Sequence, residues 1–192
     1  MTGVLPPPRP TRADGSAPYR LAVVCLGNIC RSPVADVVIE ARLASAGLAD
    51  AVEVRSFGTG GWHVGGPMDE RSAAVLTRGG YDATRHRARR LDADEAAGFD
   101  PLLGMDATNV ADVRALAGDA ADRVLLFRDL DPAGTGDVPD PYAGGPEGFD
   151  ATLAVVERVA DALVAELGAL LRAPSAAPGP APTSPAPTGG AV

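Results

Sequence analysis

A thiol, a guanidinium and a hydroxyl stand close together in segment 24–33, which reads Val-Cys-Leu-Gly-Asn-Ile-Cys-Arg-Ser-Pro. Cys25 opens the segment, Arg31 follows it six positions later, and Ser32 comes next. The planar fork of arginine matches two oxygens of a phosphoryl group, and an activated cysteine is a strong nucleophile. The spacing therefore predicts a loop that holds a phosphate group over a sulfur atom and hydrolyses a phosphate ester through a cysteinyl-phosphate.

The elements on either side of this loop would surround the phosphate with backbone N–H groups. The preceding run, Arg20–Val24, is short, apolar and β-branched, which favours a buried parallel strand. Ser32 is expected to cap a helix whose first residue is Pro33, and Gly47 is expected to end it. A helix N-terminus binds anions through its unpaired N–H groups and its dipole, and the same field favours the thiolate of Cys25 at neutral pH.

The residues inside the loop each have a use in this interpretation. Gly27 lets the backbone turn, and Asn28 can adopt the left-handed conformation or brace the loop through its side chain. The Ser32 hydroxyl is placed to donate to the Cys25 sulfur. The predicted phosphate-binding residues are Leu26, Gly27, Asn28, Ile29, Cys30, Arg31 and Ser32.

Two other interpretations of the cysteines fit the sequence less well. Small buried cysteines are common in cores, and a C-x4-C pair could be half of a zinc site. The chain has no third cysteine, however, and His63 and His86 have poor spacing for a metal, so neither a metal nor another cofactor is predicted. A Walker A loop is excluded because the chain contains no lysine.

At these motifs the chain resembles the low-molecular-weight protein-tyrosine phosphatases, of the bacterial, actinobacterial type, over about Tyr19 to Leu170. The resemblance rests on the loop, on segment 58–65 (Gly-Thr-Gly-Gly-Trp-His-Val-Gly), on Met105-Asp106, and on segment 138–142 (Val-Pro-Asp-Pro-Tyr). The loop and the last segment, in this order and over a hundred residues apart, are specific together. The resemblance implies a single α/β domain: a four-stranded parallel sheet with helices on both faces and the phosphate loop after the first strand.

The resemblance assigns the catalytic roles of Cys25, Arg31 and Asp140, the last as general acid. A phenol leaving group needs a proton, and general acid–base help is typically worth ~10²–10⁴ in rate. The same carboxylate can then activate water against the cysteinyl-phosphate. Two flanking prolines stiffen the backbone at Asp140.

The resemblance also predicts the walls of the substrate cleft. Tyr142 on one side, and Trp62 with His63 on the other, would stack on the aryl ring of the substrate. His86 resembles a family histidine that braces the loop asparagine, here Asn28.

Cys30 has two interpretations. In this family a second loop cysteine can form a reversible disulfide with the nucleophile, so Cys30 would be a redox partner that captures an oxidised thiolate. The spacing alone fits a small structural residue equally well.

The family contains neighbouring activities, and the sequence bears on each. A thiol-linked arsenate reductase needs resolving cysteines well downstream, and this chain has none beyond Cys30. Phosphoarginine phosphatases resemble this loop but carry threonine in place of Ile29. A phosphotyrosine-binding module without turnover would have lost Cys25, Arg31 or Asp140. The expected substrates are therefore phosphotyrosine proteins or aryl phosphates.

Charge and hydropathy bear on whether the protein binds nucleic acid or membranes. The net charge of −8 argues against binding to nucleic acid or to anionic membranes. No run approaches the roughly 18 apolar residues of a membrane span. A cytoplasmic monomer or weak dimer is expected, with export by a route without a signal peptide left open.

Composition divides the chain into three parts. Residues 1–18 carry prolines and arginines without the apolar core of a signal peptide, which predicts a disordered leader. Residues 19–172 are the predicted phosphatase domain. Residues 173–192 are rich in proline and alanine and uncharged, which predicts a disordered tail.

Within the domain, strands and helices are expected to alternate. Apolar runs predict strands over Val52–Ser56 (at a sheet edge), Pro101–Met105 and Arg123–Phe127. Helices are predicted near Glu70–Arg78, Ala93–Ala97, Val110–Ala117 and Phe149–Arg172. Asp106 is expected to cap a helix rather than to take part in catalysis. Alternation gives a parallel sheet that binds ligands at the C-terminal ends of its strands, where Cys25 lies.

Overall fold

The structure is a computed structural model that describes residues 5–9 and 17–172. Strands and helices alternate along it. The strands are β1 (Tyr19–Cys25), β2 (Val52–Gly58), β3 (Leu102–Gly104) and β4 (Val124–Leu126). The α-helices are α1 (Arg31–Ser45), α2 (Glu70–Arg78), α3 (Ala93–Ala96), α4 (Ala107–Ala117) and α5 (Pro146–Arg172). Two 3-10 helices, Gly118–Arg123 and Phe127–Leu130, flank β4.

The four strands form one parallel sheet in the order β2-β1-β3-β4, which confirms the predicted fold and the edge position of β2. Cys25 is opposite Gly58 across the β1–β2 pair, and Val24 is opposite Gly104 across the β1–β3 pair. The chain leaves β1 in one direction to form β2 and later returns on its other side to form β3. Ligands bind at such a switch point in open α/β sheets, and the phosphate loop begins there.

Two hydrophobic cores lie on the two faces of the sheet. Leu21, Val23 and Cys25 face the core that includes α1, α2 and α5. Ala22 and Val24 face the core that includes α3 and α4. Because alternate side chains of β1 enter the two cores, the strand is apolar throughout. Packing on both faces holds the strand that ends at Cys25 in place.

Helix α1 begins earlier than predicted. Its first residue is Arg31 and its N-cap position is Cys30, which makes no side-chain cap hydrogen bond. The prediction that Ser32 caps the helix and Pro33 starts it is wrong, because the Ser32 hydroxyl bonds to the Cys25 sulfur and to a β2 carbonyl instead. The first N–H groups of α1 thus carry no side-chain cap, as an anion site requires. The helix ends as predicted: Gly47 has φ +69°, and Leu48 N donates to Leu43 O at 2.9 Å.

Residues 5–9 pack against the domain, so the prediction of a disordered leader is wrong for this stretch. Leu5 is buried in the larger core, and its backbone N donates to Glu166 Oε1 at 2.6 Å. The Tyr19 hydroxyl donates to Pro6 O at 2.8 Å, and Arg9 N donates to Asp100 Oδ1 at 2.8 Å. One buried leucine, and hydrogen bonds between the backbone of this stretch and side chains of the domain, hold the stretch in place despite its proline-rich composition. The rest of the predicted leader before residue 17, and the whole predicted tail, lie outside the described residues.

The remaining helices lie where the sequence predicted them, with small shifts at their ends. Helix α4 begins at Ala107, three residues before the predicted start, because Asp106 caps it: Asn109 N donates to Asp106 Oδ1 at 2.7 Å. Helix α5 also begins three residues early, at Pro146. Within residues 5–9 and 17–172, no helix combines the length and the apolar character that crossing a membrane would need.

Candidate active site

The Cys25 sulfur lies at the C-terminal end of β1, beneath the loop that leads into α1. Ser32 Oγ is 3.0 Å from Sγ, and the backbone N–H of Asn28 donates to Sγ at 3.3 Å. The Ser32 hydroxyl also donates to the carbonyl of Phe57 at 3.1 Å. A serine has one hydroxyl proton, so a neutral Cys25 can donate to Ser32, while a thiolate draws the serine proton to itself. The predicted Ser32–Cys25 contact is therefore present and has a competing acceptor.

Asn28 shapes the loop in both of the predicted ways. Its φ is 53°, in the left-handed region, and its side chain donates from Nδ2 to Ser32 Oγ at 2.9 Å. His86 Nε2 donates to the Asn28 carbonyl at 2.8 Å, which confirms the predicted brace and specifies the atom it holds. The backbone N of Arg89 donates to Asn28 Oδ1 at 2.7 Å, a contact that the sequence did not indicate. Burial lowers the pKa of His86, which keeps the ring neutral around neutral pH.

The segment after β2 fits against the loop because Gly58 has no side chain. A Cβ at Gly58 would lie 2.8 Å from Leu26 O and 3.1 Å from the N of Asn28. With this close approach, Thr59 N donates to Cys25 O and Gly60 N donates to Leu26 O, each at 2.9 Å. The Gly-Thr-Gly-Gly segment thereby continues the sheet beyond β1 and brings the residues that follow it over the sulfur.

Arg31 is buried, and its guanidinium is held by three groups. Nη1 donates to Asp106 Oδ2 at 2.6 Å and to the Val138 carbonyl at 3.1 Å, and Nη2 donates to Asp140 Oδ2 at 2.7 Å. Asp106 therefore has two contacts, the predicted helix cap and an unpredicted ion pair with Arg31. The available signal was its place just after β3, since parallel neighbours end at the same edge of a sheet.

Asp140 reaches the same guanidinium from a loop that is anchored to the end of β3. Val138 N donates to Met105 O at 2.7 Å, and Ala107 N donates to Asp137 Oδ1 at 3.0 Å. The Asp140 carboxylate also accepts from Tyr142 N at 3.1 Å. Its side chain is 44% exposed while that of Arg31 is 3% exposed, so this carboxylate can meet both a leaving group and water.

A cleft of about 160 Å³ brings these groups together. Its lining residues are Cys25, Leu26, Gly27, Ile29, Cys30, Arg31, Trp62, His63, Asp140 and Tyr142. Two of the predicted loop residues, Asn28 and Ser32, are buried beneath it and brace it. A larger cavity of about 570 Å³ lies on the other side of the loop, lined by residues that include Asp36 and Arg89, but neither cysteine lines it.

Known proteins are similar to this chain in sequence and in fold. Residues 20–172 match the family described as Low molecular weight phosphotyrosine protein phosphatase. The chain belongs to this family. It is 44% identical to a low molecular weight protein-tyrosine-phosphatase of Streptomyces coelicolor over 152 aligned residues. The alignment covers 77% of this chain and 92% of that protein. The predicted family is confirmed.

Two further similarities support the same assignment. Low molecular weight protein-tyrosine phosphatase A of Mycobacterium tuberculosis is 44% identical over 145 residues, 74% of this chain and 87% of that protein. The crystal structure of YfkJ from Bacillus subtilis has a TM-score of 0.75 and 30% identity over 80% of this chain and 97% of that chain. The match to Streptomyces and Mycobacterium proteins is consistent with the actinobacterial type.

In this member of the phosphatase family, two exposed aromatic side chains line the cleft. Trp62 is 75% exposed and its ring covers the backbone of Gly60; Tyr142 is 55% exposed. Arg71 holds the tyrosine side: its guanidinium lies 5.5 Å from the Tyr142 ring and 4.4 Å from the Phe149 ring. The sequence did not indicate this role of Arg71, because the two rings that it contacts lie far away along the chain.

The two cysteines of the loop differ in their surroundings. Both are free thiols and both line the cleft. Burial, with a smaller contribution from the charge of Asp69, raises the pKa of Cys30 to about 12. Cys30 is therefore a neutral thiol at physiological pH, beside a loop whose N–H groups and hydroxyl face the Cys25 sulfur.

Proposed function

We propose that the protein hydrolyses phosphotyrosine in proteins through a cysteinyl-phosphate, with Cys25 as nucleophile, Arg31 as phosphate clamp and Asp140 as general acid and base. One observation carries this proposal: a free thiol, a buried guanidinium and a half-exposed carboxylate line a single small cleft, and the last two are in direct contact at 2.7 Å. Family membership supports the same reaction.

The reaction follows from these positions in two steps. The Cys25 thiolate attacks phosphorus, the P–S bond forms as the P–O bond to the phenol breaks, and protonated Asp140 gives its proton to the departing oxygen. The Asp140 carboxylate then takes a proton from water, whose oxygen attacks phosphorus and releases the thiolate. Arg31 pairs with the phosphoryl oxygens in both steps, and the Ser32 proton stabilises the thiolate whenever it forms.

The mouth of the cleft supports an aryl substrate. Trp62 and Tyr142 offer large apolar faces, with His63 beside the first, and a phenyl ring can stack on them while its phosphate reaches the loop. The arsenate reductase alternative would need resolving thiols downstream, and Cys30 is the only cysteine besides Cys25. Aryl phosphates should therefore be substrates, and arsenate should not be reduced.

Steady-state hydrolysis of aryl phosphates tests the proposal. Cys25→Ser should abolish turnover, because a hydroxyl at this position is a far weaker nucleophile. Asp140→Asn should lower kcat/KM more for phenyl phosphate than for p-nitrophenyl phosphate, because the more basic leaving group depends more on the general acid. Near-parent turnover by Cys25→Ser would rule out the cysteinyl-phosphate, and an equal loss on both substrates would remove the acid role of Asp140.

We further propose a cytoplasmic location and a monomeric or weakly dimeric state. Cys25 acts as a thiolate and both cysteines are free, which suits a reducing compartment. Among the described residues, the exposed large apolar side chains are Leu26, Trp62, Val64 and Tyr142, at or beside the cleft mouth, so the other faces offer little for a stable dimer. Light scattering after size exclusion would measure the state of the full chain, and a stable dimer at micromolar concentration would contradict it.

A further inference from the structure

The basic run between residues 85 and 90 is divided between the two sides of the phosphate loop. Arg85, Arg87 and Arg89 line the large cavity behind the loop. Arg90 instead lines a shallow depression together with Thr59, Gly60, Gly61 and Trp62. The division arises because Arg90 pairs with Gly58 as an isolated parallel bridge, and neighbouring side chains of an extended chain point in opposite directions.

The guanidinium of Arg90 has no carboxylate partner within the described part of the chain. By comparison, Arg85 of the same basic run pairs with Glu40 and Asp82. Arg71, on the Tyr142 side of the cleft, pairs with Asp69. The stem of Arg90 packs along Gly61, where a Cβ would lie 3.4 Å from the arginine Cδ. This contact keeps a positive charge beside Trp62, in a chain whose net charge is −8.

Trp62 is a wall shared by the cleft and the depression. A peptide whose phosphotyrosine ring lies between Trp62 and Tyr142 can leave the cleft over the rim at either of these two side chains. Where it leaves over Trp62, the adjacent residue enters the depression and approaches Arg90. On the rim at Tyr142, the guanidinium of Arg71 already pairs with Asp69 and lies against the rings of Tyr142 and Phe149.

We propose that the depression formed by Thr59–Trp62 and Arg90 is a subsite for an acidic residue next to the phosphotyrosine of the substrate, with Arg90 supplying the counter-charge. This inference rests on the proposed function and adds a preference for the sequence around the target tyrosine. An aspartate or glutamate fits because a carboxylate accepts two hydrogen bonds from the planar guanidinium. Among the described residues, the Trp62 rim has a guanidinium without a carboxylate partner while Arg71 on the Tyr142 rim is paired, so the preference should appear on one side of the phosphotyrosine.

The test compares phosphotyrosine peptides that carry Asp or Asn on either side of the phosphotyrosine, with neutral residues elsewhere. We expect the parent enzyme to prefer Asp over Asn at one side by about twofold to fivefold in kcat/KM, which is the range of an exposed ion pair. The preference should appear in KM, because Arg90 does not touch the reacting atoms, and it should shrink as salt is raised.

Substitutions at Arg90 separate this subsite from the catalytic machinery. Arg90→Gln should abolish the preference and Arg90→Glu should reverse it, while both keep parent kcat/KM on p-nitrophenyl phosphate. Arg87→Gln is the matched control, since Arg87 belongs to the same basic run but lines the other cavity; it should keep the preference. An equal rate on Asp and Asn peptides, or an unchanged preference in Arg90→Gln, would overturn the subsite while phosphotyrosine hydrolysis still stands. Failure to hydrolyse any phosphotyrosine peptide would overturn the proposed function itself.

Discussion

The phosphate loop has a front and a back, and they differ in how their polar groups are used. On the front, Cys25, Arg31 and Asp140 line the 160 Å³ cleft, and each has a hydrogen-bond partner within the site. On the back, the cavity of about 570 Å³ contains Asp36, whose Oδ1 is buried and has no hydrogen-bond partner among the described residues. Paired polar groups around a nucleophile, and not volume, identify the reaction site.

Two residues, His86 and Arg89, connect the front and the back of the loop. His86 and Arg89 hold Asn28 through a ring N–H and a backbone N–H, while their side chains line the rear cavity. The back is thus a support for the loop, and it contains a carboxylate whose burial is only partly compensated by a hydrogen bond from Ser56 Oγ at 2.7 Å. Changes on the front should therefore affect turnover, and changes on the back should affect stability.

After Cys25→Ser, Arg31→Lys is the change with the largest expected effect on turnover. A lysine keeps the charge but loses the fork that contacts Asp106, Asp140 and the phosphoryl group. We expect kcat/KM for p-nitrophenyl phosphate to fall by about 10²–10³, the usual cost of removing a donor that stabilises transition-state charge. Arg89→Lys is the matched control on the back, since it retains the backbone N–H that holds Asn28, and it should stay near parent activity. Equal losses in both variants would break the distinction between front and back.

Asp36→Asn probes the back through stability. Burial, opposed by the hydrogen bond from Ser56, raises the pKa of Asp36 from 3.8 to about 7. The folded state therefore binds this proton more tightly than the unfolded state, so the stability that Asp36 contributes is fully present below pH 4 and is lost as the pH rises through 7. The unfolding free energy of Asp36→Asn relative to the parent should rise by roughly 2–3 kcal/mol between about pH 5 and pH 8.

Urea unfolding of the two proteins at each pH gives this difference directly. The subtraction matters because His86, whose pKa is lowered by burial, contributes to the unfolding free energy with the opposite sign. The stability that His86 contributes is present at high pH and is lost as the pH falls below the ordinary pKa of histidine. That contribution is the same in parent and variant. A difference that stays constant from pH 5 to pH 8 would show that Asp36 does not titrate in this range.

Asp106→Asn tests how much of the front depends on positioning. Asparagine is as good a helix cap as aspartate, so α4 should keep its start. The ion pair with Arg31 is lost, and we expect kcat/KM to fall about tenfold, the lower end of the value of a hydrogen bond to a charged group. Inhibition by inorganic phosphate should weaken in parallel.

Asp137→Asn is the control for that variant. Asp137 accepts a hydrogen bond from the first residue of the same helix but makes no contact with Arg31 in the described structure. It should leave phosphate affinity unchanged. If both asparagine variants lose activity equally, the loss reflects the removal of a negative charge near the start of α4 and not the contact between Asp106 and Arg31.

Much of the front was predictable because its signals are local. The strand before Cys25, the turn at Gly27 and Asn28, and the Pro-Asp-Pro rigidity of Asp140 are all visible in short segments. The alternation of apolar runs with helices predicted the parallel sheet and placed Cys25 at its C-terminal edge, and the structure bears this out.

The contacts that the sequence did not reveal join segments far apart in the chain. The Arg31–Asp106 ion pair spans 75 positions, and the Arg89–Asn28 hydrogen bond spans 61. Ser32 looked like a helix cap because its side chain fits that role locally, but the sulfur at Cys25 and the carbonyl of β2 bind its hydroxyl instead. Leu5 is one apolar residue among prolines, so composition could not show that it is buried.

The smallest expected effect concerns the two thiols on the front. Peroxide should convert the Cys25 thiolate to a sulfenic acid, and the Cys30 thiol would then displace its hydroxyl as water to give a disulfide. Cys30 is neutral because burial raises its pKa to about 12, so its proton leaves during this step. After mild peroxide, a thiol reductant should restore nearly all parent activity but a smaller share in Cys30→Ala, where Cys25 oxidises further.

Intact mass measured before reduction distinguishes the two fates of Cys25. The parent should have lost two hydrogens, and the Cys30→Ala protein should have gained oxygen. Ser72→Ala is a suitable comparison, because Ser72 is a buried neighbour of Cys30 and its loss leaves both thiols in place. If Cys30→Ala recovers as fully as the parent, Cys30 is a structural residue of the loop, and the two thiols differ in burial without any division of chemical roles.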